Sequence, residues 1–240
     1  MKKLISMLLY AIFLFSISVS AYAAEDINYS RYDEYLGYIE NGEWPESIPY
    51  SSWYAIVTEN DRLMEEMFGS TETTMGRTIP PIDFSYMTLQ PGDVLITNDP
   101  STAVAGIVGH AAIAYDSDTI IHIANADSLP SYIELVDWAR DYANGTTRLY
   151  RMSNSSYGSK AAIEAWSKYL NVYPKATYDL ATRLDTYDKT YCSKIVWQAY
   201  HYINPSCANL PVIGGYAGVV TPGDLPNKIP LLTYYNSYGV

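Results

Sequence analysis

Cysteine and histidine are scarce in this chain, two of the first and three of the second in 240 residues. No CxxC pair, no HExxH spacing and no phosphate-cradling glycine loop is present, so zinc-finger, zincin and P-loop chemistry lack their residues. Basic side chains are also few, 15 Lys and Arg against 26 Asp and Glu, for a net charge of -11. A chain this acidic repels phosphate backbones and anionic lipid surfaces, which excludes nucleic acid as a partner. No internal repeat or low-complexity run interrupts it. The 48% hydrophobic content is enough for a core, and the length fits one main domain with an extension.

A membrane-spanning run is missing too. Lys2 and Lys3 precede an apolar stretch from Leu4 to Phe15 that breaks at Ser16, Ser18 and Ser20, short of the roughly 20 apolar residues a span requires. Ala21, Tyr22 and Ala23 then form the small-residue pattern of a signal-peptidase site. Residues 1–23 are therefore expected to be a leader, the mature chain to begin near Ala24, and the protein to be secreted or periplasmic. Losing two lysines takes the charge from -11 to -13. No cysteine stands at the cut to carry a lipid, so no stable membrane anchor is expected after leader removal.

What the chain does have is tyrosine, 25 residues of it. Tyrosine-rich surfaces grip sugar rings, which keeps a non-catalytic glycan-binding module among the readings. Two cysteines in an exported chain are read first as a disulfide. Geometry argues against that here. A helix from Cys192 to Ile203 carries the chain about 16 Å, and the residues to Cys207 span at most ~14 Å, so the loop would have to double straight back.

The central stretch is GHAAIAYDSDTIIHIAN, Gly109 to Asn125, which holds two of the three histidines. His110 to Tyr115 and Thr119 to Ala124 read as strands around an Asp116, Ser117, Asp118 turn. That loop length pairs His110 with Ala124 and Ala112 with His122. Both imidazoles then project from one face, with Cα atoms about 7 to 8 Å apart on the diagonal. Ala112, Ala114 and Ala124 share that face and leave room for another element.

Around the hairpin, 24–85 reads as an N-terminal helical extension, with short turns to Tyr50 and a helix over Trp53 to Phe68, then a Gly-, Ser- and Thr-rich link. Residues 86–240 read as the main domain, with strands at Asp93 to Thr97, Tyr132 to Val136 and Thr146 to Met152. Helices are expected near Asp137 to Tyr142 and from Ser159, as N-cap, to Leu170 with Ile163 on the buried face. In YCSKIVWQAYHYI, Cys192, Ile195, Val196, Ala199 and Ile203 follow helical spacing, and Lys194, Gln198 and His201 fall on the other, solvated side.

A thiol at a helix head feels the positive end of the dipole, and a neighbouring imidazole stabilises its thiolate. The Cys192 stripe is expected to dock on the alanine-lined face, with Cys192 as nucleophile, His110 as base and His122 orienting His110 through a ring-to-ring hydrogen bond. First-turn N–H groups supply an oxyanion donor. A zinc site from the same three side chains is disfavoured, and no cofactor is expected.

PGDVLI at Pro91 to Ile96, GHAAIAY at Gly109 to Tyr115, IIHIAN at Ile120 to Asn125, TYD at Thr177 to Asp179, YCSKIV at Tyr191 to Val196 and VTPGDL at Val220 to Leu225 occur in that order. In these motifs the chain resembles the NlpC-type papain-like cysteine peptidases, in their circularly permuted YaeF and YiiX branch, over about residues 88 to 226. The resemblance implies an α+β papain-like fold with an antiparallel sheet packed against the catalytic-cysteine helix. It implies Cys192 as nucleophile, His110 as base and His122 as the third residue, with Tyr178, Asp179, Tyr191 and Ser193 as candidate substrate contacts. Many relatives cleave cell-wall stem peptides, using an acidic residue before the cysteine where this chain has Tyr191. The preferred expectation is an exported thiol hydrolase that cleaves an amide in peptidoglycan peptide or a similar small substrate. The alternative is a lipid or thioester acyl hydrolase or transferase.

Overall fold

The computed structural model describes residues 28–69, 86–210, 212–213 and 216–239. The expected leader and most of the link after Gly69 lie outside the described residues. Contacts divide the chain after Tyr32; the first unit is described over 28–32 alone, and everything below concerns the second, Asp33–Val240.

The first half runs α1 (Tyr32–Glu40), α2 (Tyr50–Phe68), β1 (Val94–Thr97), β2 (His110–Ala114), β3 (Thr119–His122), β4 (Ser131–Glu134), α3 (Leu135–Asp141) and β5 (Thr146–Met152). The second runs α4 (Ser155–Ala165), β6 (Thr177–Tyr178), β7 (Lys189–Thr190), α5 (Cys192–Ile203), β8 (Val212–Ile213), β9 (Tyr216–Ala217), α6 (Leu225–Lys228) and β10 (Leu232–Gly239). Six strands form one sheet in the order β10-β5-β1-β2-β3-β4, every neighbouring pair antiparallel. The fold is thus mixed α+β around an antiparallel sheet.

Alternation along the strands divides the buried side chains between two faces. Val94, Ile96, Ala111, Ile113, Ile121 and Ile123 meet α2, α4 and α5 on one face. Leu95, Ala112, Ala114, Ile120 and Leu149 meet Trp138 and Tyr142 on the other. The expected docking of α5 is corrected by this partition: the helix lies on the Ala111 and Ile113 face, and the Ala112 and Ala114 face is covered by α3. Both faces of β2 are apolar, and Ile113 and Ile121 offer the helix more surface to bury than alanines do.

Three further expectations change. Asn154, whose side chain accepts from the Ser156 N–H at 3.0 Å, caps α4 in place of Ser159. The helix then continues over Trp166–Val172 with the wider π pattern, and Ile163 is 61% exposed. Lys194 and Gln198 are buried rather than solvated. The 182–189 loop folds over that side of α5, and the Lys194 ammonium donates to the carbonyls of Arg183 (2.6 Å) and Lys189 (2.7 Å). The stretch before Tyr50, expected as turns outside the core, contributes α1 and the buried Tyr35, Trp44 and Ile48.

Candidate active site

The hairpin register matches its sequence reading. Ile113 pairs with Ile121 and Ala114 with Ile120, the same offset that sets His110 against Ala124 and Ala112 against His122. His110 Nε2 lies 3.2 Å from His122 Nδ1. Gly109 has φ +101°, and a Cβ there would sit 2.6 Å from the Met64 methyl, so glycine is required where the chain turns into β2.

Aromatic rings enclose the pair. His110 stacks on Tyr142 (centroids 5.1 Å, 30°) and on Trp138 (5.6 Å, 23°). The Tyr142 hydroxyl lies 3.4 Å from His122 Nδ1, and the Trp138 indole donates to Thr147 Oγ1 at 3.0 Å. Trp138 and Tyr142 carry no motif that sequence reasoning could have used; only tertiary packing brings them here.

Cys192 is the first residue of α5, after Tyr191 in extended conformation (φ -153°, ψ 169°). Its thiol donates to Ser193 Oγ at 3.9 Å, and the backbone N–H groups of Ala111, Ser193 and Cys192 itself lie near enough to favour the thiolate. Ala111 follows His110 directly, so the thiol meets the start of β2, while the His110 ring alternates to the other face of the strand, against Trp138 and Tyr142. The helix therefore does not dock on the histidine face as the sequence led one to expect. Cys192 and Cys207 are both free thiols, in keeping with the distance argument against a disulfide. Among the described residues no group of three or more His, Cys, Asp or Glu side chains is placed to hold a metal ion.

Beside the sulfur is a small open pocket, with Val104, Ile107, Leu180, Val220 and Pro222 among its walls. Of the expected substrate contacts, Tyr178 and Ser193 line it as well. The other two lie elsewhere. Tyr191 is buried, and its hydroxyl accepts from the Val220 N–H (3.0 Å) and donates to the Gly218 carbonyl (3.3 Å). The Asp179 carboxylate accepts from the Ala181 N–H (2.9 Å) and pairs with Lys189 (2.7 Å). His201 is half-buried, Nδ1 at 3.1 Å from the Ala208 carbonyl oxygen.

Burial sets the charge states. His110 is held well below the usual histidine value, first by desolvation and then by His122. His122 falls to about 4, again by desolvation, partly offset by Asp141. Burial pushes the Cys192 thiol up, against the pull of the N–H donors around it. The resting pair is therefore a neutral thiol and a neutral imidazole. If the two act together, as proposed below, catalysis needs His110 unprotonated. The kcat/KM profile is expected to be flat from about pH 6 to pH 8, with its acid limb below histidine's ordinary value of about 6.5. Stopped assays across that range check it; an acid limb at 6.5 or above contradicts the neutral-pair assignment.

A thiol at the head of a buried helix, facing a strand that begins with one of two paired imidazoles, defines a cysteine–histidine α+β protein. The chain belongs to the family described as "Lipoprotein N-acylation protein LnsA-like", whose match covers residues 62–216. A Bacillus thuringiensis protein, "Uncharacterized 30.3 kDa protein", is 33% identical over 143 residues, 56% of this chain and 51% of the relative. The chain thus spans about half the length of that curated relative. The crystal structure of "metalloprotein yiiX from Escherichia coli O157:H7, DUF1105" aligns over 64% of this chain and 99% of its own, at 16% identity and a TM-score of 0.47.

Proposed function

We propose that this chain is an exported thiol enzyme that takes an acyl group from a lipid ester onto Cys192 and passes it to water or to an amine. The observation that carries this reading is the apolar wall beside the sulfur, formed by Val104, Ile107, Leu180, Val220 and Pro222. Such a wall suits a hydrocarbon chain better than a charged stem peptide. The absence of an acidic side chain at position 191 points the same way, as does the family's description, which names acylation of lipoproteins at nitrogen.

In the first half-reaction the free Nδ1 of His110 takes the Cys192 proton as sulfur attacks the ester carbonyl. The C–S bond forms, the C–O bond breaks, and the imidazolium returns the proton to the leaving alkoxide. Water or an amine then attacks the thioester, His110 accepting its proton, and the acid or amide leaves as the thiol is restored. His122, neutral above about pH 4, offers Nδ1 as acceptor to the protonated His110 Nε2–H and holds the ring in place. Helix-head N–H groups and the Tyr178 hydroxyl are the donors for the developing oxyanion.

The test is a substrate panel. Mature protein is given zwitterionic diacyl phospholipid vesicles, with and without an amine-bearing peptide, beside peptidoglycan fragments, and products are read by mass spectrometry. Lysolipid with fatty acid or N-acyl peptide is expected. New amine and carboxyl ends in the peptidoglycan, with the lipid intact, would overturn lipid-ester chemistry in favour of amide cleavage.

A further inference from the structure

Thr221 lies in the VTPGDL motif, to which sequence reasoning gave no role. It is 1% exposed and lines the same pocket as Cys192 and Tyr178. Its hydroxyl oxygen has no hydrogen-bond partner among the described residues. Three other buried side-chain atoms share that condition, on Trp44, Arg148 and Asp224, and none of those residues lines the pocket. A buried hydroxyl left unpaired is costly, and native proteins keep few.

The surrounding segment cannot easily swing to satisfy it, because both ends are fixed. On one side Tyr191 and Ser193, the residues flanking the nucleophile, bind Val220: the Val220 N–H donates to the Tyr191 hydroxyl (3.0 Å), and Ser193 Oγ donates to the Val220 carbonyl (2.7 Å). On the other the Gly223 N–H donates to Asn60 Oδ1 (3.3 Å), and Asn60 Nδ2 donates to the Val108 carbonyl (2.9 Å). The fully buried Asn60 of α2 thereby ties the Thr221 wall to the Ile107–Gly109 wall. A hydroxyl held this firmly in the wall of the Cys192 pocket, and paired with nothing among the described residues, has its missing partner in what the pocket binds.

We infer that the Thr221 hydroxyl is a substrate contact that hydrogen-bonds an oxygen of the acyl ester presented to Cys192. The assignment rests on the acyl-transfer reading above. It makes the pocket select for a hydrogen-bonding acyl ester rather than for apolar bulk alone. Because the hydroxyl has no other partner, removing it should harm catalysis without harming the fold. Valine has the same shape, and exchanging an unpaired buried hydroxyl for a methyl is neutral or stabilising.

The experiment compares wild type, Thr221→Val, Thr221→Ala and Thr221→Ser in single-turnover acylation by a p-nitrophenyl acyl ester. Alkylation of Cys192 by iodoacetamide reports thiol reactivity, and thermal melting reports the fold. Thr221→Val and Thr221→Ala should acylate about ten- to a hundredfold more slowly. Alkylation should stay at the wild-type rate, the Thr221→Val melting temperature should be equal or higher, and Thr221→Ser should recover most of the rate. Wild-type acylation rates in Thr221→Val or Thr221→Ala overturn the inference. So does an equal slowing of acylation and alkylation, which would mean action through the thiol. A wild-type protein that alkylates but is never acylated overturns the acyl-transfer reading itself, and this inference with it.

Discussion

Cys192→Ala and His110→Ala are each expected to abolish acyl turnover, by at least about 10⁴-fold, while the melting temperature changes little. In the proposed mechanism the first removes the atom that carries the acyl group and the second the base that strips its proton, and the two act as one unit. The double variant should therefore be no worse than either single one. His122→Ala should cost less, about 10²-fold, since it takes away the acceptor that aligns His110 and leaves nucleophile and base in place. Stopped assays of the four variants on the same acyl ester check the series. Full activity in Cys192→Ala or His110→Ala would remove the mechanism.

The largest expected effect on stability lies away from the sulfur, at Gly92. Its φ is +90°, and an added Cβ would fall 2.3 Å from the Gly158 backbone of α4. The Pro91–Gly92 turn into β1 thus lies directly on the helix. Gly92 also donates its N–H to the Ala114 carbonyl at 2.8 Å, and its own carbonyl accepts the Tyr200 hydroxyl of α5. Displacing the turn disturbs β1, β2 and α5 together. Gly92→Ala should destabilise the protein by more than about 3 kcal/mol, the sum of left-handed strain and a backbone clash. Gly37, inside α1, is the control, since a Cβ added there would meet nothing within 4 Å. Gly37→Ala should be neutral or gain up to about 1 kcal/mol. Denaturant midpoints measure both, and equal midpoints for Gly92→Ala and wild type would contradict the close-packing argument.

The parts of the site that could be read from the sequence were those governed by local periodicity. A three-residue turn with two β-branched or alanine-rich arms fixes a hairpin register, and the register fixes which residues share a face with His110 and His122. The 3.6-residue stripe of Cys192, Ile195, Val196 and Ala199 likewise defines α5 to its last residue. Where two apolar surfaces competed, the sequence held no deciding signal. β2 is apolar on both faces, so nothing in it told α5 to choose Ala111 and Ile113 over Ala112 and Ala114. Lys194 and Gln198 look solvated to a helical wheel, because the loop that buries them lies up to fourteen residues upstream. Tyr142 reaches the histidines, and Thr221 the pocket that Cys192 lines, from distant segments, and only the fold brings them there. Thr221 sits in a motif visible in the sequence, but its unpaired hydroxyl is a property of packing.

In the proposed mechanism, passing the Cys192 proton to His110 is what lets a buried thiol serve as a nucleophile. Burial outweighs the N–H donors near the sulfur, so the thiol rests neutral. On that reading charge develops only as the ester arrives, with His110 taking the proton and His122 accepting from its ring.

Intact-protein mass spectrometry after rapid acid quench tests the central claim most directly. Wild-type protein mixed with a diacyl phospholipid should gain the mass of one acyl group, on the peptide that contains Cys192. The adduct should be removed by neutral hydroxylamine, as thioesters are, and be absent from Cys192→Ala. An acyl adduct on any other residue, or lipid turnover undiminished in Cys192→Ala, would contradict it.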